Sequence, residues 1–235
     1  MPDQVPLSKI DIKKEELDNV IEVMNSGWLA PGKFNNLFEE AFSDFIGSKY
    51  AISMNSCASA LEIAIKAHDI KGEVIVPSFT WVASVNAIVN NGATPVFCDI
   101  DPKTRNTSAE FIEPLINSKT EAIMVVHIGG QPCEMNKIVE LANKHNLLLI
   151  EDSAETLGAR YDDKQAGSFG IGCFSFFPTK NITTGEGGMF TCNDENINKV
   201  LNLLTSLNKK LIQPMIHLVL EFSLRYLLTY LLMKG

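Results

Sequence analysis

The sequence predicts an α/β fold, a large domain with a mostly parallel sheet flanked by helices, and three observations predict it. From Tyr50 onward, short apolar runs alternate with segments of helical periodicity, the rhythm of repeated βαβ units. The runs are apolar at successive positions, as expected of strands covered on both faces. At 235 residues the chain can bury a sizeable core, which favours one large domain over two small ones.

The elements follow in order. Leu17, Val20, Ile21 and Met24 have helical spacing within Glu15 to Met24, and Gly27 supplies a stop. The GWLAPG stretch from Gly27 to Gly32 breaks regular structure, with Trp28 expected as a core or interface aromatic. A second helix runs from Phe34 to Phe45 with Phe38, Ala41, Phe42 and Phe45 on one face. Strands are expected at AISM (51–54), EVIV (73–76), PVFCDI (95–100), AIMVVHI (122–128), LLLIED (147–152), Cys173–Phe176 and Gly188–Cys192. Helices are expected at Ser59–His68, Trp81–Val89 and Met135–His145. Asn55, Ser78, His127, Asp152 and Ser175 fall at or just after strand ends, where such sheets bind ligands.

Composition narrows the function classes. Hydrophobic residues at 46% and charged residues at 20% are near ordinary globular usage and argue against a disordered chain. A net charge of -8 without a run of Lys or Arg argues against nucleic acid as the main partner. The five cysteines, Cys57, Cys98, Cys133, Cys173 and Cys192, are odd in number, widely spaced and free of CxxC. They argue against a disulfide framework or a zinc site, and no metal is expected. The charged N-terminus lacks a signal-peptide core, which makes the cytoplasm the default location.

One stretch concentrates chemistry. SFFPTKNITTGEGGM, 175–189, places Lys180 between an apolar strand and a glycine-rich turn. A lysine amine attacks carbonyls only when neutral, which costs about 4 kcal/mol near pH 7. A partly desolvated pocket or a cationic neighbour is expected to offset that cost. Phe174, Phe176 and Phe177 are read as apolar walls, Ser175 and Thr179 as hydroxyls for a phosphate, and Gly185, Gly187 and Gly188 as points of close backbone approach. Elsewhere, Ser56, Cys57 and Ala58 open a helix after a strand, which suits either a phosphate at its N-terminus or a plain cap. Trp81 is either core or a π platform. Asp152 needs a partner if buried, or serves as a helix cap. His127 to Met135 reads as a structural turn, and so do Gly167, Gly170 and Gly172.

Ser175-Phe176-Phe177-Pro178-Thr179-Lys180-Asn181, followed by Gly185-Glu186-Gly187-Gly188, resembles the cofactor-lysine segment of the DegT/StrS-type sugar aminotransferases. The resemblance runs from about Pro6 to about Leu207, with several motifs in the family's order. It implies the large domain of aminotransferase fold type I and the cofactor pyridoxal 5'-phosphate. By the same resemblance Lys180 holds the cofactor as a Schiff base and moves protons. Asp152 faces the pyridine nitrogen, Glu155 lies near the phenolic oxygen, and Trp81 stacks on the ring. Ser56, Cys57 and Ala58, with Ser175, surround the phosphate. Cys57-Ala58 departs from the glycine or threonine of many relatives, which puts a hydroxyl contact there in doubt, with Ser59 and Ser175 to compensate. His127-Ile128-Gly129-Gly130 through Glu134-Met135 is similar to the family's HxxG…DM turn, with Glu134 in place of aspartate.

The activity implied is transfer of an amino group, with glutamate as donor, to a nucleotide-linked keto deoxy sugar in cell-surface polysaccharide biosynthesis, by a homodimer. The related sugar 3-dehydratases carry histidine in place of the lysine, so Lys180 argues against that branch. A third reading is a truncated, non-catalytic relative acting in binding or assembly. It arises because residues 211–235 do not resemble the family's continuation into a smaller C-terminal domain. Residues 1–210 are thus expected to form the cofactor-binding domain with its N-terminal helical segment, and 211–235 an apolar helix. Gln213, His217, Glu221 and Arg225 make a polar stripe on that helix, and its unbroken apolar part is too short to span a membrane. It is expected to pack on another subunit or lie along a membrane surface.

Overall fold

The computed structural model describes residues 8–199 and 201, so the helix expected over 211–235 lies outside the described residues. The α/β fold is as expected. Two helices, α1 (Lys14–Ser26) and α2 (Lys33–Ile46), precede strand β1 (Tyr50–Met54) and helix α3 (Cys57–Ala67). Then come β2 (Glu73–Pro77), α4 (Val82–Asn90), β3 (Thr94–Cys98), the short α5 (Ala109–Ile112), β4 (Thr120–Val126), α6 (Met135–His145) and β5 (Leu148–Asp152). A small hairpin of β6 (Arg160–Tyr161) and β7 (Lys164–Gln165) leads to β8 (Ile171–Ser175) and β9 (Gly188–Cys192).

Seven strands form one sheet in the order β1-β9-β8-β5-β4-β2-β3. Pairings β2 to β3, β2 to β4, β4 to β5 and β5 to β8 are parallel. β9 runs antiparallel to both of its neighbours. The alternation of side chains along each strand gives each face its own core. Val74 and Val76 join Leu61, Ile65, Ile88, Met124 and Ile150 on the α3/α4 side. Ile75 joins Ile123, Val125, Ile138 and Leu149 on the α6 side. Covering both faces explains why β2, β4 and β5 read as continuous apolar runs.

Three local expectations need correction. β3 is an edge strand, and Phe97 is largely exposed there, so its run is not apolar on two covered faces. On α2 the buried face is Phe38, Phe42 and Ile46, spaced four apart, while Phe45 is exposed. Trp28 is not a core residue: it is 65% exposed, and its indole Nε1–H points to the Pro31 carbonyl at 3.5 Å.

The face of α2 anchors the segment that carries Lys180. Phe42 meets Phe174 edge-on at 5.0 Å between ring centroids and Phe176 at 5.7 Å, and Phe38 meets Phe176 at 5.5 Å. Phe174 and Phe176 are therefore core residues packed with Phe38 and Phe42. Full burial of each such ring contributes roughly 1.5–3 kcal/mol.

Candidate active site

β8, β5, β4 and β2 lie side by side and parallel, so their carboxyl ends open on one edge of the sheet. A cavity of about 360 Å³ sits there. Phe79, Thr80 and Trp81 follow β2, Val126, His127 and Ile128 end β4, Asp152, Ala154 and Glu155 end β5, and Lys180 follows β8. Four predicted site residues, Lys180, Asp152, Glu155 and Trp81, thus line one cavity. Its apolar walls differ from those predicted. They come from Phe79, Trp81, Val126, Ile128 and Ala154, whereas Phe174 and Phe176 are turned into the α2 core and Phe177 is exposed.

Lys180 is placed by the turn after β8: its backbone N–H donates to the Phe177 carbonyl at 2.9 Å. Its Nζ lies 3.3 Å from Glu155 Oε1, with the lysine side chain 20% exposed and the glutamate 47%. The other oxygen of Glu155 accepts the Gly129 N–H at 2.9 Å, so the HIGG turn holds the carboxylate beside the lysine. Among the described residues, the carboxylates of Glu155 and Asp152 are set against Lys180.

Asp152 ends β5 and is buried. Its Oδ2 accepts from Ser84 Oγ at 2.7 Å, and its Oδ1 from the Ala154 N–H at 3.2 Å. Burial pushes its carboxyl up from the usual range, while Ser84, the Ala154 N–H and Lys180 pull it down. Asp152 is therefore a cavity-wall acid with partners, and the Ala154 bond is a local cap within its own turn.

Ser56 caps α3: its Oγ accepts the Ser59 N–H at 3.1 Å. Cys57 turns its thiol inward, 3.4 Å from the Cys173 carbonyl and 3.8 Å from Asp152 Oδ1. Burial, reinforced by Asp152, pushes that thiol well above its ordinary value, which keeps it a donor. Ala58 lies in the first turn of α3. A Cβ on Gly188 would collide with the Ser56 carbonyl and the Cys57 nitrogen, so only glycine lets β9 pass behind this turn. Gly188 is also the register partner of Ser175, whose Oγ accepts the Phe177 N–H at 3.4 Å. Ser56, Cys57 and Ser175 thus adjoin through one glycine, beside the cavity rather than in its wall. Thr179 is exposed.

The functional geometry that sequence reasoning missed belongs to Glu151 and Ser84. Glu151 is fully buried and accepts four donors: Gly167 N and His127 Nε2 on one oxygen, Phe169 N and Gly170 N on the other, at 2.7–3.1 Å. His127 also accepts the Cys133 N–H on Nδ1 at 3.1 Å. That bond needs a lone pair on Nδ1, so the ring carries its proton on Nε2, toward Glu151. The signal for a structural role was there in the glycines Gly167 and Gly170, but their partner lay 16 to 19 residues away.

A lysine, a buried aspartate and an exposed tryptophan thus face one cavity at the carboxyl edge of a mostly parallel α/β sheet. The chain belongs to the DegT/DnrJ/EryC1/StrS aminotransferase family, whose model matches residues 10–225. It is 49% identical to the GDP-perosamine synthase of Caulobacter vibrioides over 193 residues, 80% of this chain and 52% of that protein. It is 40% identical to the spore coat polysaccharide biosynthesis protein SpsC of Bacillus subtilis over 208 residues, 87% of this chain and 52% of that one. The chain spans about half the length of the curated relatives it matches. Among solved structures, an aminotransferase from Psychrobacter cryohalolentis superposes with a TM-score of 0.78 at 43% identity, over 82% of this chain and 50% of that chain. The aminotransferase TlmJ from Streptoalloteichus hindustanus reaches 0.88 at 28% identity, over 98% and 66%. Among the described residues no helix is long and apolar enough to cross a membrane.

Proposed function

We propose that this chain carries the cofactor-binding part of a pyridoxal 5'-phosphate-dependent aminotransferase that delivers an amino group, with glutamate as donor, to a nucleotide-linked keto deoxy sugar for polysaccharide biosynthesis. The observation that carries the reading is the convergence of Lys180, Asp152, Glu155 and Trp81 on one cavity. Relatives whose names are GDP-perosamine synthase, at 49%, 44% and 41% identity, support the substrate class. An E. coli GDP-4-keto-6-deoxy-D-mannose-3-dehydratase structure with bound hydrated PLP superposes at a TM-score of 0.81. Lys180 favours the aminotransferase branch over that one. Five buried free cysteines agree with a reducing compartment, the cytoplasm. A homodimer is part of the same proposal.

The residues present fit the cofactor. Trp81 lies on the cavity wall with 78% of its surface exposed, leaving a π face for an electron-poor ring. The buried Asp152 carboxylate, raised by desolvation, gains from a cationic N–H partner. The α3 N-terminus, with Ser56, Cys57 and Ala58, and the neighbouring Ser175 offer small residues and free backbone N–H groups to a phosphate. Bound there, pyridoxal 5'-phosphate supplies an aldehyde for imine formation and an electron-poor ring that accepts the electron pair left by proton loss.

This chain's residues do the rest. Asp152 would hold a proton on the ring nitrogen and so keep the ring electron-poor. Lys180 Nζ would hold the cofactor and, once released by the amino donor, would take up and return the donor's proton as base and acid. Glu155, fixed by the Gly129 N–H, keeps Nζ within the cavity. The test is borohydride reduction of the full chain with pyridoxal 5'-phosphate, followed by peptide mass analysis. A pyridoxyl mass on the Lys180 peptide is expected, and a chain that takes none there overturns the reading.

A further inference from the structure

Ser84 is fully buried in the first turns of α4, where nothing in the mechanism so far requires a hydroxyl. A serine inside a helix ordinarily bonds back to the carbonyl four residues earlier. Here Oγ instead reaches Asp152 Oδ2 at 2.7 Å and the side-chain Oγ1 of Thr80 at 2.8 Å. Thr80 lines the cavity, as Asp152 does. The two hydroxyls and the carboxylate therefore form a closed hydrogen-bonded arc that begins and ends at the cavity wall.

The direction of the arc follows from proton counting. An ionised carboxylate only accepts, so the single Ser84 proton goes to Asp152. Ser84 Oγ must then accept from Thr80. Oδ1 is held separately, by the Ala154 N–H at 3.2 Å and, more weakly, by the Cys57 thiol at 3.8 Å. Each oxygen is thereby tied to a different element, Oδ2 to α4 and Oδ1 to its own turn and α3. Rotation of the carboxylate breaks both attachments.

We infer that Thr80 and Ser84 are positioning residues, a hydroxyl relay that fixes the Asp152 carboxylate and favours its ionised form at the cavity wall. The inference rests on the functional reading only for the use made of Asp152. The relay itself is a property of the protein without cofactor. The titratable groups facing Asp152 are Cys57 from α3, His127 from the end of β4, Cys173 from β8 and Lys180 from the following loop. α4 brings no charged side chain, so the relay is its side-chain contribution. Ser84 lowers the Asp152 carboxyl against the upward push of burial. Its removal must therefore raise the pH at which Asp152 ionises.

The experiment follows the infrared band of the protonated Asp152 carboxyl against pH in the full chain without pyridoxal 5'-phosphate, assigned by its loss in Asp152→Asn. In Ser84→Ala the midpoint is expected to rise by about one pH unit, a tenfold shift in proton affinity. In Thr80→Val it should rise by less, because Ser84 still donates. Ser84→Cys, near in size and a weak donor, should fall between Ser84→Ala and the parent. A folded Ser84→Ala that titrates with the parent overturns the relay. Should Ser84→Ala fail to fold, Thr80→Val decides: a rise supports the relay and an unchanged midpoint overturns it. Borohydride labelling of the parent keeps the two readings apart. A parent that takes no pyridoxyl group on Lys180 defeats the aminotransferase reading, while the titration still judges the relay.

Discussion

Glu151 and Asp152 are neighbours on β5, both buried acids, and they have opposite fates. Successive residues of a strand point to opposite faces, so one backbone step separates a structural anion from a cavity-wall acid. Glu151 accepts four donors, three of them backbone N–H groups from the turn at 167–170. All of its partners are donors, the pattern a carboxylate accepts. Asp152 has one hydroxyl, one backbone N–H and a distant thiol, and burial pushes its carboxyl up. The first acid is spent on the fold. The second is left under-compensated at the edge of a cavity, which is where a charged ligand group gains most from meeting it.

Breaking the functional side of the comparison has the largest expected effect. Lys180→Ala is expected to lower transamination by roughly a thousandfold or more, about 4 kcal/mol of barrier, with little change in thermal stability. Lys180→Arg should do the same, since a guanidinium stays protonated and cannot form the imine. Single-turnover assays with amino donor and keto sugar check this; a Lys180→Ala protein working at the parent rate removes the lysine from the mechanism.

Glu151→Gln breaks the structural side. Whichever way its amide is turned, the NH₂ group faces two of the four donors, so a buried site loses two acceptances and gains a clash of donors. Stability should fall by roughly 3 kcal/mol, read as a lower urea midpoint, and the 167–170 turn should lose amide exchange protection. An unchanged midpoint would show that the four bonds add nothing to folding.

The contrast between the two acids also marks what was legible in the sequence. The cost of burying an acid at the end of the LLLIED run could be read, and the family resemblance assigned Asp152 to the site, yet composition alone does not say which of Glu151 and Asp152 faces the cavity. The same ambiguity sent Phe174 and Phe176 to the wrong wall: both are apolar beside the key lysine, but α2 claims them. Glu151's donors are set by a turn more than a dozen residues away, and no periodicity announces such a closure. α6 was found at its full extent because Met135, Ile138, Leu141 and Ala142 share a face. The β6/β7 hairpin went unseen because two-residue strands carry no period, and the reversed direction of β9 because an apolar run has no direction.

Asp152→Asn tests the other acid and should separate rate from stability. The cofactor should still bind, but proton abstraction should slow by roughly a hundredfold, because a neutral amide no longer holds the ring protonated. Its folded carboxyl is raised above the unfolded value, so Asp152 costs stability once pH rises above the unfolded carboxylate range, ~3.9, and that cost is complete above the folded value. Asn removes a cost of this sign. Melting temperature measured from pH 4 to pH 8 should therefore decline less with rising pH in Asp152→Asn than in the parent; parallel curves would contradict the burial argument.

The smallest effect is expected at Glu155, which resembles Asp152 in lining the cavity but is half exposed. Its ion pair with Lys180 spans 3.3 Å with side chains 47% and 20% exposed, and water screens such pairs to within about 1 kcal/mol. Glu155→Gln keeps an oxygen for the Gly129 N–H, so the turn after β4 should hold, and melting should move by no more than a degree or two. What should change is the placement of Lys180, because an amide holds an ammonium less firmly than a carboxylate. The rate of pyridoxyl capture by Lys180 at fixed pH should differ from the parent by less than about tenfold, and its salt dependence should flatten, since screening acts on the charge that was removed. A stability loss as large as that of Glu151→Gln would show that Glu155 belongs with the structural acids and that exposure is a poor guide to which acid serves the site.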